Sequence, residues 1–234
     1  WITNGSTAST YLVIAQTHKE LRHKGINAFI VEAGTPGFTV GPKENKLGIR
    51  GSDTHSLMFN DVKVPKENRI GDDGFGFSFA MKTLEGGRIG IAAQALGIAA
   101  GAYELALEYS KQRKSFGKAI AEHQAIAFKL ADMATQIEAA RMLVYKAAWL
   151  KDQGKSYTLA GSMAKLFASK VAMDVTVEAV QIHGGYGFVK EYWHEKHTKL
   201  IDFITQNNLL TPFYREVFIG VYNVGLQMSA WQTS

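Results

Sequence analysis

The hydrophobic period of this chain changes between Pro65 and Arg88, and that change limits the folds open to it. Before Pro65 the apolar residues come in short runs rich in β-formers. These are Tyr11-Leu-Val-Ile-Ala-Gln16, Ala28-Phe-Ile-Val-Glu32, Gly37-Phe-Thr-Val40, Ser56-Leu-Met-Phe59 and Val62-Lys-Val64. Gly34-Thr-Pro-Gly37, Gly41-Pro42 and Asn60-Asp61 punctuate them, so residues 1–70 are expected to be strand and turn. The basic cluster from Lys19 to Lys24 reads as a solvated hairpin tip. Gly71-Asp-Asp-Gly-Phe-Gly76 reads as a flexible linker in which Asp72 or Asp73 caps the segment that follows.

After the linker the period lengthens to that of a helix. Phe75 to Leu84 starts helically, and Gly86-Gly87 interrupts it at a local cost of about 1 kcal/mol per Gly against Ala. Three helices are expected beyond this point, over residues 88–112, 123–153 and 157–183. The first carries Ile91, Ala95, Ile98, Ala102, Leu105 and Tyr109 at helical spacing. The second carries Ile126, Leu130, Met133, Ile137, Ala140, Val144 and Ala148, and Asp152-Gln153-Gly154 stops it. The third carries Met163, Phe167, Val171, Val175, Ala179 and Ile182, and Gly184-Gly185 ends it. Long helices joined by short turns predict an antiparallel bundle. The fold class is therefore α+β: a β-domain over 1–70, a helical bundle over 71–192, and a separate segment over 193–234.

The composition, 46% hydrophobic and 20% charged, is that of a globular chain, and it narrows the chemistry. There is no Cys, so disulfides, thiolate nucleophiles and Cys-ligated metals are excluded. His55, His123, His183, His194 and His197 lack metal-site spacing, and no metal is expected. The net charge of +5 is scattered among acids, which argues against a nucleic-acid groove and suits anionic small ligands. No uninterrupted apolar run reaches the roughly 20 residues of a membrane span, and none is expected. The chain starts at Trp1 inside an expected strand, which reads as a missing N-terminus.

Arg113-Lys-Ser-Phe-Gly-Lys-Ala-Ile120, followed by Glu122-His-Gln124, separates two of the long helices. Arg113 offers a planar fork of donors for phosphate. Phe116 offers an apolar face to a flat ring, and Gly117 a sharp turn or close backbone approach. Alone, such a stretch is usually an ordinary interhelix turn. Its company is more specific. Trp1-Ile-Thr-Asn-Gly5, Arg50-Gly-Ser-Asp-Thr54, Val62-Lys-Val-Pro65, Gly87-Arg88, Arg113-x-x-Phe116-Gly117, His123-Gln124 and Gln181-Ile-His-Gly-Gly-Tyr-Gly187 occur in this order. The series resembles the acyl-CoA dehydrogenase family, nearest to its short-chain (butyryl-CoA) members, from Trp1 to about Tyr192.

The resemblance implies part of a middle β-barrel domain followed by the C-terminal helical bundle of that family. It implies FAD as cofactor, with Trp1 and Thr3 along the isoalloxazine ring. Arg113, Phe116 and Gln124 would hold the diphosphate and adenosine, and Gln181, Gly184 and Gly185 would form a loop that a neighbouring subunit lays over the same ADP moiety. Arg88 would lie beside the thioester tail of the acyl-CoA substrate, with Glu85 on the pantetheine. An ordinary helical pair is the bland alternative for Glu85 and Arg88. The family's partners would be electron-transfer flavoprotein and further copies of the chain, as a dimer of dimers. The location would be bacterial cytoplasm or mitochondrial matrix.

The same resemblance exposes a gap. The family reaction needs a carboxylate that takes the α-proton of the acyl-CoA. Short-chain members keep it in an Ile-Tyr-Glu-Gly-Thr stretch; here Ile204-Thr-Gln206 is followed by Asn207, Asn208 and Leu209. Other members place it one residue before the bundle arginine, which is Gly87 here. No catalytic residue is therefore assigned, with Glu85 the nearest acid and a weak substitute. Family identity also fades from Trp193 onward, as a frameshift, a chimeric reading or genuine degeneration would each produce. Two functions follow: a short-chain acyl-CoA dehydrogenase whose base is missing, or a non-catalytic flavin-binding or oligomerising remnant.

Overall fold

A computed structural model describes residues 1–46 and 51–188. Two compact units divide between Gly87 and Arg88, inside one long helix.

The first unit is built from short antiparallel strands. β1 (Ile2–Thr3), β5 (Thr54–Phe59) and β4 (Phe38–Lys43) form one sheet in the order β1-β5-β4, and β2 (Thr10–Gln16), β3 (Ile26–Glu32) and β6 (Arg69–Ile70) form another in the order β2-β3-β6. β2 and β3 pair from Thr10↔Glu32 to Gln16↔Ile26. The Lys19–Gly25 segment closes that hairpin as a 3-10 turn, with Arg22 at φ 50°. Tyr11 and Val31 are cross-strand partners and share one face of their sheet. Phe38 meets them from the other sheet, with its ring centroid 4.6 Å from that of Tyr11 and 4.9 Å from that of Phe59. The register slips between Val40 and Lys43, where Pro42 stands. Pro lacks a ladder donor, and an edge strand such as β4 tolerates it.

Two details differ from the sequence reading. Val62-Lys-Val64 is not a strand. Val62 and Val64 pack against the Tyr11–Phe38 core, so their apolar character reflects burial rather than pairing. The Gly71–Gly76 linker is fastened rather than loose. Asn27, 1% exposed on β3, donates to Asp73 Oδ1 (2.6 Å) and Thr17 Oγ1 (2.7 Å), and its Oδ1 accepts from the Gly74 N–H (2.9 Å). The Asn27 bond, outweighing desolvation with help from Arg69 and His18, holds the Asp73 carboxyl below its ordinary range.

α1 (Gly76–Gln112) runs unbroken through Gly86-Gly87, so the expected interruption does not occur. The second unit takes it over at Arg88 and adds α2 (Gln124–Asp152) and α3 (Thr158–His183). Lys129 near the start of α2 pairs with Glu178 near the end of α3, as antiparallel neighbours must. The α2 face is as expected from Leu130 to Val144, with Ala147 rather than Ala148 buried. The α1 face is rotated from the expected one. Ala92, Leu96, Ala99, Ala106 and Tyr109 are buried in the shared core, while Ile98 is 53% exposed. Met163 on α3 is likewise outside, and Ala164 and Ala168 are inside. These helices are apolar on more than one side, and small side chains mark where they approach most closely. By length and composition α1 also qualifies as a membrane span over an 18-residue window. Ala92, Ala99 and Ala106 on it belong to the shared apolar core, while 22% of that window is buried.

Candidate functional site

Trp1 precedes β1 with its side chain 75% exposed, whereas the next residue, Ile2, is 5% exposed. The alternation of a strand puts one side chain in the core and the other out. Thr3 pairs with Thr54 and Ile2 with His55, so β5 holds this strand. The turn after it is tied by polar atoms. Asn4 sits at φ 56°, donates its N–H to Asp53 O (3.0 Å), and accepts from Ser52 Oγ (3.1 Å). Ser6 donates its hydroxyl (2.5 Å) and its N–H (3.3 Å) to Asp53 Oδ2. His55, 6% exposed, donates from Nδ1 to Gly41 O (2.8 Å) and sets Nε2 2.8 Å from Asp53 Oδ2. The Nε2 contact is a close approach rather than an aligned hydrogen bond. Burial works to raise the Asp53 carboxyl; the bonds from Ser6, its own backbone N–H and the His55 ring outweigh it and hold the group below its ordinary range. Tyr11 donates its hydroxyl to Gly5 O (2.6 Å), and burial with the nearby Asp53 charge pushes that phenol up. Asn4 and Asp53 each stood in a family word, but their meeting was not visible in the sequence, because Ser6 and Asp53 lie 47 residues apart.

Glu85 and Arg88 are three apart on α1, and both are half-buried. Gly87, the alternative position for a base, lies between them and carries no side chain. The Asn207–Leu209 position and the divergent 193–234 segment lie outside the described residues.

In the second unit, α1 ends where the Arg113 N–H bonds Tyr109 O (2.9 Å). The chain then makes a small hairpin of β7 (Lys114–Ser115) and β8 (Lys118–Ala119), and the Ile120 N–H returns to Arg113 O (2.8 Å). Its two loop residues, Phe116 and Gly117, have φ of 50° and 81°. A two-residue loop with both central φ values positive is the I′ hairpin turn, which ordinarily selects Asn-Gly. A bulky ring there is a true outlier, and Phe116 is 96% exposed. The His123 ring crosses the Phe116 ring edge-on at 6.3 Å, and its Nε2–H donates to Ser115 O (3.2 Å). That bond ties the start of α2, where Gln124 is exposed, to the turn that carries Arg113 and Phe116. The Arg113 side chain is also exposed.

Gln181 is exposed one turn from the end of α3, and its carbonyl accepts from the Gly184 N–H. Gly184 has φ 58°, and a Cβ at Gly184 or Gly185 would meet nothing within 4 Å. Gly187 is the opposite case: a Cβ there would stand 2.3 Å from Val180 O. The ends of α1 and α3 meet through Tyr109, whose ring stacks on the buried His183 at 4.5 Å. Tyr109 supplies the carbonyl under Arg113, and His183 immediately precedes Gly184. One chain thus brings the Arg113 turn and the double glycine to the same end of its bundle. The sequence showed His183 within a family word and without a metal pattern; its partner 74 positions earlier in the chain was not visible. An exposed guanidinium, an exposed ring, and open glycine backbone suit the phosphates and adenine of a dinucleotide. The exposed Trp1 indole suits a flat ring system.

The acyl-CoA dehydrogenase middle domain matches residues 1–62, and the acyl-CoA dehydrogenase C-terminal domain matches residues 74–204. The short-chain-specific acyl-CoA dehydrogenase of Megasphaera elsdenii is 58% identical over 199 residues, covering 85% of this chain and 52% of that protein. The solved butyryl-CoA dehydrogenase of Megasphaera elsdenii superposes with a TM-score of 0.79 at 60% identity, over 81% of this chain and 50% of the other. A structure described as the electron transferring flavoprotein of Acidaminococcus fermentans, in work on flavin-based electron bifurcation, matches with a TM-score of 0.80 at 55% identity, over 87% and 53%. The chain spans about half the length of these relatives.

Proposed function

The chain belongs to the acyl-CoA dehydrogenase family, and on that premise we propose that it forms the FAD-holding part of a short-chain acyl-CoA α,β-dehydrogenase. The observation that carries the proposal is the Arg113–Gln124 turn. Phe116 is held at positive φ with its ring in water, a local strain that a purely structural turn would avoid by using Asn. A ring presented this way meets the adenine, Arg113 pairs with the diphosphate, and Gln124 hydrogen-bonds beside them. Gln181 and the open backbone of Gly184-Gly185 approach the same ADP moiety; this loop was expected from a neighbouring subunit, and the Tyr109–His183 stack supports its coming from the same chain as Arg113. Trp1 shields the isoalloxazine face and Thr3 donates to its polar edge. Bound FAD supplies the acceptor for the β-hydride of the acyl-CoA. Arg88 steadies the thioester tail and Glu85 the pantetheine.

In the whole protein the electrons pass to electron-transfer flavoprotein; the Acidaminococcus fermentans relationship supports that partner class. Self-association is supported by an outward stripe on α3, where Leu159, Met163, Leu166, Met173, Val177 and Val180 are exposed at heptad spacing.

A second reading is favoured by one observation: Gly87 stands where a base would project from α1, and amides or Leu stand at the other family position. An amide does not remove an α-proton at neutral pH. On this reading the chain holds flavin without dehydrogenating.

The test of flavin holding compares two neighbouring cations. Arg113→Ala removes a charge-assisted bond to phosphate worth about 1.5–3 kcal/mol and should cut FAD retention by tenfold or more. Lys114→Ala should leave it nearly unchanged. Equal retention in both variants would remove the assignment. Anaerobic addition of butyryl-CoA to the FAD-loaded chain separates the two readings: flavin bleaching supports dehydrogenation, and an unchanged spectrum supports holding alone.

A further inference from the structure

We propose that Asp53, assisted by His55, is a positioning residue for the flavin ring: it sets the Trp1–Thr3 strand through the Asn4–Ser6 turn. The proposal rests on the reading that Trp1 and Thr3 face the isoalloxazine. Trp1 is largely exposed, and β5 pairs with this strand over only two residues, Ile2 and Thr3, so the turn that follows adds to what sets its position. The constraint comes from the next three residues. Asp53 receives the Asn4 N–H on its backbone oxygen and both Ser6 donors on its carboxylate. His55 stands against the same Oδ2 oxygen, anchored to Gly41 O, and is the cross-strand partner of Ile2. Its Nε2 stands 2.8 Å from Asp53 Oδ2, so the ring also walls in the carboxylate that receives Ser6. Gly5 completes the fit: a Cβ there would stand 2.9 Å from His55 Cβ, closer than side chains pack. Side chains at 53 and 55 thus determine where the turn lies, and with it the strand that bears Trp1.

A brace for ring orientation differs from a brace for folding in what it changes. Asp53→Asn keeps the shape of the side chain and removes its charge. Binding of FAD and of ADP is measured on the 234-residue chain. The visible circular dichroism of bound FAD and thermal melts are recorded on the same samples. ADP carries the phosphates and adenine but no isoalloxazine, so it reports the Arg113 and Gly184-Gly185 contacts alone. The expected result is FAD binding loosened about tenfold in Asp53→Asn, with ADP binding unchanged. Flavin dichroism at saturation should also weaken. Ser6→Ala removes only one of the donors and should show the same pattern at a smaller amplitude. FAD and ADP binding both unchanged in Asp53→Asn would overturn the proposal, and so would equal loosening of both, which marks general damage. Wild-type chain that binds ADP as tightly as FAD, or binds neither, would overturn the ring-contact reading itself.

Discussion

The two units of this protein reach their folds by different means. In the second unit the buried set is almost entirely apolar, and much of it is alanine: Ala92, Ala99, Ala106, Ala140, Ala164 and Ala168 are fully buried. Volume and close approach decide that core. In the first unit three side chains, Tyr11, Val31 and Phe38, form the apolar centre, and directional polar contacts do the rest. Asn27 joins β3 to the start of α1, and Asp53 joins β5 to the turn after β1. A core set by volume tolerates chemistry that keeps size. A unit set by hydrogen bonds tolerates changes of size better than the loss of one partner.

The largest effect expected from this contrast is in the helical unit. Ile137 is 4% exposed in the middle of α2. Ile137→Ala leaves a cavity among rigid neighbours and should cost about 2–5 kcal/mol. Ile137→Leu, which keeps the volume, should cost less than about 1.5 kcal/mol. Chemical denaturation followed by far-ultraviolet circular dichroism measures both. Equal losses in the two variants would show that shape rather than volume governs this core.

The counterpart in the first unit is Asn27→Ala, which leaves the Gly74 N–H and Asp73 without their buried partner. The expected loss is about 1–3 kcal/mol. Hydrogen exchange should locate it in β3 and in the Asp72–Phe79 backbone, with the Leu130–Val144 amides of α2 unaffected. Asn27→Asp, which keeps size but cannot donate and adds a charge beside Asp73, should be no better than Asn27→Ala. Recovery in the aspartate variant would mean that Asn27 acts by filling space, and the contrast between the units would fail.

The same contrast explains what the sequence disclosed. Helix limits were legible to within two residues for α2 and α3, since period and stop signals such as Asp152-Gln-Gly154 are local. The face of α1 was misjudged because Ile91 and Ile98 outrank alanine in hydrophobicity, while close packing favours Ala92 and Ala99. The strands β2 to β5 were legible as apolar runs; β6 was not, because Arg69-Ile70 is too short to show a period. The Arg113–Gln124 turn was legible as a motif, and its strained ring was not. The long-range partners, Asn27 with Asp73 and Ser6 with Asp53, were hidden because polar pairing leaves no periodic trace.

The smallest effect expected is at the one turn where the helical unit departs from its own rule. Phe116 buries almost nothing, so apart from the edge-on His123 ring little packing offsets its positive φ. A non-glycine residue in this region costs of order 1–3 kcal/mol, and Asn is the residue type that tolerates it best at this turn. Phe116→Asn should therefore stabilise the helical unit, by about 1 kcal/mol, because the new side chain loses no buried contact. The same substitution removes the ring proposed to meet adenine and should weaken ADP binding several-fold. A gain in stability with a loss of binding is the signature of a position strained for its ligand. The measurement is a denaturation midpoint and an ADP titration on the same variant. A fall in stability would mean that the edge-on contact with His123 supports the turn more than the backbone strain opposes it. Unchanged ADP binding together with higher stability would leave Phe116 strained without a ligand to account for it, and the Arg113–Gln124 turn would then have to be read as a structural turn alone.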